Sequence, residues 1–266
     1  MSSLRIIAGR SAYRKIKSSG LSPADVRVVP GASGAAKWLV IYGLDKAIFA
    51  DFLPASQQPV LLYGTSVGAF KLAAACQAKP AQALTRLALA YIDQYYGAGI
   101  SSSSVVNETR KILDAVMTEQ GIGELLNNSR FSFNCGAVRC KGLLASRSPR
   151  LQKLAMMQAF LLALIGRSQQ QHIFSRTIFG DRLQAGFGDR LQAGPFKAGD
   201  GFETDFIQIN KDNLKQAVLA SGSIPVLMPG VTDINTGSVP AVYRDGGLLD
   251  YHPVPDNVLA PISGLV

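Results

Sequence analysis

The sequence predicts an α/β fold in which helices cover both faces of a mostly parallel sheet. Through the first half of the chain, short apolar runs that end in glycine alternate with stretches of helical periodicity. The runs "VRVVPG" (26–31) and "PVLLYG" (59–64) are typical of buried strands that end in tight turns. Strands that alternate with helices form parallel sheets, because the connecting helices pack on both faces. Ligands bind such sheets at the carboxyl ends of the strands.

The other elements follow from the spacing of apolar residues. This spacing predicts helices over 35–53, 67–78, 80–96, 104–119, 150–166 and 211–223. A further strand is predicted over 131–141, a strand that runs into the glycine turn at 246–247 is predicted within 241–250, and short strands broken by glycines are predicted over 171–210. The segment "FGDRLQAG" occurs twice in tandem, at 179–186 and 187–194. This unit is too short to build a solenoid, so we expect a local duplication that lengthens a hairpin or loop.

The longest nearly apolar run, "LAMMQAFLLALIG", covers 154–166 between Lys153 and Arg167. It falls short of the roughly 18 to 20 residues that a membrane-spanning helix needs. We therefore expect a helix buried in the core, in preference to one that lies in a membrane interface. The N-terminus lacks the apolar stretch of about seven or more residues that a secretory signal requires. These features predict a cytoplasmic protein.

The charge balance favours an anionic partner. The chain has 27 basic and 18 acidic residues, which gives a net charge of +9. The basic residues are scattered and no nucleic-acid motif is present, so we expect no nucleic acid and instead peripheral contact with an anionic membrane. Three cysteines without a CxxC pair and only two histidines predict neither a disulfide framework nor a metal site.

The stretch "GTSVG" (64–68) places Ser66 between Gly64 and Gly68, after an apolar strand and before a small-residue helix. In a G-x-S-x-G motif, the serine lies on a strained turn from strand to helix, and the glycines allow the backbone to approach closely. The N-terminal dipole of the helix then favours negative charge that develops during acyl transfer. The alternative is a serine that only caps the helix in a packed turn.

A second glycine loop, "PGASGAA" (30–36), also follows a predicted strand. Its backbone N–H groups could bind phosphate, but the chain lacks the G-x-x-x-x-G-K-[ST] arrangement. Beside an activated serine, the same N–H groups would serve as an oxyanion hole. A tight turn without a chemical role remains the alternative.

A serine nucleophile needs a group that takes its proton. In a Ser-His-Asp triad of an α/β-hydrolase, the acid precedes the histidine in the chain and the two normally come from separate loops. His252 lies too close in sequence to Asp245 and Asp250 for that arrangement, and His172 precedes both acids. A Ser-His-Asp triad therefore fits poorly. Asp245, at the head of "DGG" (245–247), could accept the proton directly if a poorly solvated site raised its pKa. The alternative is an Asp-Gly turn without chemistry.

Together these residues resemble the patatin-like phospholipase family. "GTSVG" resembles its nucleophile motif, "DGG" its D-G-[AG] motif and "PGASG" (30–34) its glycine-rich oxyanion loop. "ASGSIPVLMPGV" (220–231) resembles its small-residue, Ile-Pro segment. The four blocks match in order and spacing over roughly residues 5–252, and "GASGAAKWLV" and "RDGGLLDYH" resemble bacterial members in particular.

The resemblance implies one domain over residues 1–266 with a three-layer α/β/α fold around a central, mostly parallel sheet. It implies hydrolysis of acyl esters in phospholipids or related lipids, with no metal or other cofactor. Ser66 would be the nucleophile of a Ser-Asp dyad with Asp245, and the N–H groups of Gly31 and Ala32 would form the oxyanion hole. The remaining motif positions are Gly64, Gly68, Gly34, Gly246 and Gly247.

Two features depart from the family pattern. Val29 stands where the first glycine of the oxyanion loop is expected, and Ser33 stands where a basic residue is usual. The chain also ends soon after His252, where bacterial relatives commonly continue, so we expect a truncated C-terminus. Two alternatives stay open: a non-catalytic lipid-binding or scaffold protein that keeps the fold, and a soluble Ser-His-Asp esterase.

Overall fold

A six-stranded sheet forms the centre of the protein in the computed structural model, which describes residues 7–97, 99–180, 200–232, 234 and 241–253. The strands are β1 (Val28–Gly31), β2 (Val60–Thr65), β3 (Phe131–Cys140), β4 (Phe174–Gly180), β5 (Thr204–Gln208) and β6 (Tyr243–Asp245). They lie in the order β1-β2-β3-β4-β5, and β6 pairs with β3.

The pairings confirm the predicted α/β fold with a central, mostly parallel sheet. The pairs β1–β2, β2–β3 and β4–β5 are parallel, whereas β3 runs antiparallel to β4 and β6. The parallel half is built from the strand–helix alternation in the sequence. Helices flank this sheet, the arrangement of a three-layer α/β/α protein. They are α1 (Arg10–Ser19), α2 (Tyr42–Lys46), α3 (Val67–Ala75), α4 (Pro80–Ile92), α5 (Ser102–Val116), α6 (Glu119–Leu126), α7 (Pro149–Ile165) and α8 (Leu214–Ser221).

The single helix predicted over 35–53 is a chain of shorter helical pieces. A 3-10 turn over Ala35–Ile41 leads into α2, and a π-helical segment over Ala47–Phe52 follows. Gly43 weakens the regular helix, and Pro54 has no N–H to continue it. The prediction of helical backbone over 35–53 was therefore right, but the prediction of a single regular helix was wrong.

Helix α3 is the most buried helix of the core. All nine of its residues are buried, and it contacts β1, β2 and β3. Its small side chains, among them Ala69, Ala73 and Ala74, let the helix lie close to the strands. The turn that precedes α3 is therefore held by the best-packed part of the fold.

The prediction that the apolar run at 154–166 is buried was wrong. In α7 only Gln152, Ala155 and Ala159 are buried, and most of its large apolar side chains are exposed. The apolar composition predicted the helix but not which of its sides faces the core. Small residues at helical spacing can pack on a core just as large residues can. Among the described residues, no helix has the length and apolar character that crossing a membrane requires.

The tandem repeat lies outside the described residues except for Phe179 and Gly180, which end β4. The chain from 254 to 266 also lies outside them.

Candidate active site

The site forms where two strands end head to head beside β3. Strand β2 pairs with β3 up to Thr65, which lies opposite Gly136. Strand β6 runs in the opposite direction and ends at Asp245, which lies opposite Ala137. Because Gly136 and Ala137 are consecutive, the carboxyl ends of β2 and β6 meet at one point of the sheet. This geometry brings Ser66, the next residue after β2, to Asp245.

Ser66 adopts a strained backbone conformation at this junction. Its φ of 53° and ψ of −130° lie in a region that non-glycine residues rarely occupy. The surrounding structure enforces it, because the Ser66 N–H donates to both the carbonyl oxygen (3.1 Å) and Oγ (3.0 Å) of Ser221. The Ser221 hydroxyl in turn donates to the Gly136 carbonyl oxygen at 2.7 Å. A serine held in strain at a strand-to-helix turn is the geometry of a nucleophile elbow.

The motif glycines are required by close backbone packing. A Cβ on Gly68 would overlap the carbonyl group of Gly31, and one on Gly64 would lie 2.5 Å from the carbonyl carbon of Gly68. A Cβ on Gly246 would overlap the carbonyl oxygen of Gly136. The three glycine loops predicted at strand ends therefore converge on the same place, and no larger residue fits these positions without displacing backbone.

Ser66 and Asp245 form a direct hydrogen bond although they are 179 residues apart in the chain. Ser66 Oγ donates to Asp245 Oδ2 at 2.7 Å. The other carboxylate oxygen, Oδ1, accepts the N–H of Gly247 at 2.7 Å, and the Asp245 N–H donates to the Ser223 carbonyl oxygen at 3.0 Å. Both carboxylate oxygens and the backbone of Asp245 are therefore fixed.

Burial changes the acidity of Asp245. Asp245 is only 6% exposed, and burial raises the pKa of its carboxyl group from 3.8 to about 6. The hydrogen bonds from Ser66 and Gly247 lower this pKa but do not cancel the effect of burial. The carboxylate is therefore a stronger base than an exposed aspartate and is still ionised at neutral pH. A base with a pKa close to the working pH is suited to take a hydroxyl proton.

The oxyanion loop lies against the first turn of α3. Gly31 ends β1, and a Cβ on Gly68 would lie 2.9 Å from the Ala32 carbonyl oxygen, so the backbone of both loop residues adjoins the helix that follows Ser66. The loop is held from the other side, because the Ser33 N–H donates to the Tyr251 carbonyl oxygen at 2.9 Å. The Ser33 hydroxyl is 2.9 Å from Thr65 Oγ1. Gly34, with φ 158°, then turns the chain into the segment that begins at Ala35.

Within the described part of the chain, neither histidine is hydrogen-bonded to the dyad. The His252 ring packs edge-on against Tyr251, with ring centroids 5.0 Å apart, and His172 ends a 3-10 turn over Arg167–His172. Asp250 is not a free acid either, because its two oxygens accept hydrogen bonds from Arg176 at 2.7 and 3.0 Å. Its role is structural: its carbonyl oxygen also accepts the Thr65 hydroxyl at 2.7 Å.

Sequence reasoning missed the supporting residues of the site. Ser221 and Ser223 hold the backbones of Ser66 and Asp245, yet only the small-residue character of "ASGS" (220–223) pointed to this segment. The fully buried Arg244 was also missed. It donates to the carbonyl oxygens of Leu144, Ser146, Met228 and Pro229, and so fixes β6 directly before Asp245.

Over the described ranges, no group of three or more His, Cys, Asp or Glu side chains could hold a metal ion. No family model matches this chain, and comparison with curated proteins and with solved structures gave no match. The chemistry of the site therefore follows from its geometry. A hydroxyl that donates to a buried carboxylate, beside the N-terminus of a buried helix, is an arrangement suited to nucleophilic catalysis.

Proposed function

We propose that this protein is a serine acyl hydrolase that cleaves ester bonds of phospholipids or related lipids through a Ser66–Asp245 dyad. The observation that carries the proposal is the 2.7 Å hydrogen bond from Ser66 Oγ to Asp245 Oδ2 at a strained strand-to-helix turn. It gives physical support to the resemblance to bacterial patatin-like phospholipases, which use the same pair of residue types.

The proposed reaction proceeds in two halves. Ser66 Oγ attacks the ester carbonyl carbon while its proton passes to Asp245 Oδ2, and the N–H groups of Gly31 and Ala32 stabilise the oxyanion of the tetrahedral intermediate. Collapse of the intermediate expels the alcohol, which takes the proton from Asp245, and leaves an acyl-serine. Water then attacks the acyl-serine with the same proton transfers, releases the fatty acid and restores the hydroxyl of Ser66.

Exposed apolar residues in the helical segment after the glycine loop favour a lipid substrate. Val40, Ile41 and Leu44 lie six to ten positions after Gly34, and all three are exposed. Exposed apolar residues that cluster near a site mark binding surfaces for apolar ligands. The net charge of +9 adds a preference for anionic lipid surfaces over neutral ones.

A fluorophosphonate probe tests the proposal. The probe should label the native protein with one adduct per chain, because an activated serine attacks its phosphorus and expels fluoride. Peptide mass spectrometry should locate the adduct at Ser66, and heat-denatured protein should remain unlabelled. An adduct on a different serine would contradict the dyad. A native chain that binds lipid vesicles but takes no label would support the non-catalytic alternative.

Replacement of His252 by Ala should leave turnover of a short-chain p-nitrophenyl ester within about threefold of wild type. The reason is that the His252 ring contacts Tyr251 and makes no hydrogen bond to Ser66 or Asp245 in the described part of the chain. Steady-state kinetics measure the effect. A loss on the order of 10³-fold or more is expected for a member of a triad. It would show that the His252 imidazole accepts the serine proton, and it would contradict the Ser66–Asp245 dyad.

A further inference from the structure

The α7 helix turns mostly small residues toward the core and large apolar residues toward solvent, unlike an ordinary surface helix. Its fully buried residues are Gln152, Ala155 and Ala159, and Met156 and Leu162 are partly buried against the same cluster, whereas most of its other large apolar side chains point outward. Their exposed fractions run from 45% for Leu154 to 79% for Ile165. We call this surface the α7 face, made of Leu154, Met157, Phe160, Leu161, Leu164 and Ile165. A surface helix normally turns such residues toward the core, so the α7 face needs an apolar environment outside the described fold.

The charged residues of α7 and of the segment directly before it are all basic, whereas just after the helix Arg167 pairs with Asp200 and Asp250. No Asp or Glu occurs between Glu124 and Asp181. Exposed Arg147, Arg150 and Lys153 lie at the start of α7, and none of them pairs with a carboxylate within the described ranges. An apolar face next to unpaired cations is the pattern of a helix that lies in the surface of an anionic bilayer.

The α7 helix flanks the catalytic end of the sheet. Its Ala155 and Ala159 pack in one cluster with Val138 and Cys140, which belong to the part of β3 beyond the end of β2. Leu249, four positions after Asp245, belongs to the same cluster. The helix therefore shares a core cluster with the end of β3 that lies just beyond the meeting point of Ser66 and Asp245.

A neighbouring loop connects α7 to the dyad. The Gln152 side chain accepts the Val226 N–H at 2.6 Å, which joins α7 to the loop after α8. This loop begins at Ser223, the residue whose carbonyl oxygen binds the Asp245 N–H. It exposes Ile224 and Leu227 on either side of Val226, whose φ of 72° is strained for a β-branched residue.

We propose that the α7 face docks the protein on an anionic lipid bilayer and so brings the end of the sheet that carries Ser66 and Asp245 toward the lipid surface. The apolar side chains enter the boundary between headgroups and acyl chains, and Arg150 and Lys153 contact the anionic headgroups. The docking itself does not depend on the chemistry at Ser66. Its purpose, delivery of ester lipids to the dyad, rests on the proposed function.

Vesicle flotation tests the docking. Wild type and Ser66→Ala should both float with vesicles of phosphatidylcholine and phosphatidylglycerol, and less with phosphatidylcholine alone. The double variant F160Q/L164Q should bind the mixed vesicles about tenfold more weakly or worse, because two large apolar side chains no longer leave water. The double variant R150Q/K153Q should lose about fivefold per charge, and only on anionic vesicles.

The matched control is Y13Q/L21Q, which replaces two exposed apolar residues near the amino end of the sheet. The helix α1, which contains Tyr13, is tied there by the ion pair of Lys15 with Asp25. This control should float like wild type. Thermal melting and turnover of a soluble short-chain ester should be unchanged in F160Q/L164Q, which shows that the fold and site are intact.

The outcomes separate docking from catalysis. Flotation that needs the α7 face, in a protein without ester turnover or fluorophosphonate labelling, would keep the docking and reject the proposed function. Wild type that does not float, or F160Q/L164Q that floats like wild type, would overturn the docking. Light scattering could instead detect a dimer that the F160Q/L164Q substitutions dissociate. Together with absence of flotation, this result would assign the α7 face to a second copy of the chain and would also overturn the docking.

Discussion

Replacement of Ser66 by Ala should lower kcat for a short-chain p-nitrophenyl ester by on the order of 10⁴-fold or more. Removal of the nucleophile in a serine hydrolase has an effect of this size, because the remaining oxyanion donors cannot replace covalent catalysis. The loss should appear in kcat rather than in KM, since the hydroxyl reacts with the ester but contributes little to binding it. Stopped assays at high enzyme concentration, with correction for background hydrolysis, measure the residual rate.

The matched control is Ser175→Ala, a second buried serine in the same sheet. Ser175 lies in β4, and its Oγ has no hydrogen-bond partner in the described structure, so its loss should change neither activity nor stability appreciably. Ser66→Ala should also fold normally, because Ala keeps the Cβ and the two hydrogen bonds of the Ser66 N–H to Ser221. Substantial turnover in Ser66→Ala beside a normal Ser175→Ala would show that a different group attacks the ester.

The early part of the fold could be predicted because its signals are local. The strands β1 and β2 are apolar runs that stop at Gly31 and Gly64, and both the runs and the turns are visible in short windows of sequence. The place of β6 could not be predicted in this way. Its pairing of Asp245 with Ala137 joins distant parts of the chain, and apolar spacing does not specify which strands become neighbours.

The α7 helix shows a second limit. Its apolar residues predicted a helix correctly, but the only fully buried apolar residues among those of α7 are Ala155 and Ala159, while Phe160 and Leu164 face outward. Composition alone assigns large apolar residues to the core, because that is where most of them lie. The α7 helix is an exception to this rule, because it buries small residues and exposes most of its large ones.

At the site, reactive side chains were easier to predict than their supports. Ser66 and Asp245 stand in short glycine motifs whose geometry has a mechanical reason, so both could be named as candidates. Ser223 holds Asp245 through its carbonyl oxygen, and Ser221 holds Ser66 through both its carbonyl oxygen and its hydroxyl. A carbonyl oxygen that accepts an N–H leaves no mark in the residue type, and a serine hydroxyl in a small-residue segment is too common to indicate one partner. The hypothesis that Asp245 accepts the serine proton directly required a raised pKa. Burial of Asp245 at the junction of β2 and β6 raises that pKa.

Replacement of Asp245 by Asn should lower kcat/KM by about 10³-fold, within the range of about 10² to 10⁴ for loss of a general base. An amide keeps the shape of the side chain and can still accept the Gly247 N–H, but it cannot take the Ser66 proton. In the proposed reaction the active base is the carboxylate, and burial raises its pKa to about 6. We therefore expect kcat/KM to be half-maximal near the pKa of about 6, to level off well above it and to fall about tenfold per pH unit well below it, whereas the Asn variant should lack this limb.

Stability should move in the opposite direction from activity. Because the folded-state pKa of about 6 exceeds the unfolded value of 3.8, the contribution of Asp245 to stability is fully present below pH 3.8 and is lost as pH rises through 6. At pH 8 the ionised, buried carboxylate costs the fold up to about 3 kcal/mol, a cost that neutral Asn avoids. Asp245→Asn should therefore unfold at an equal or higher denaturant midpoint than wild type at pH 8. Lower stability together with lost activity would make Asp245 a structural residue, and a pH limb near 7 that His252→Ala removes would make imidazole the base.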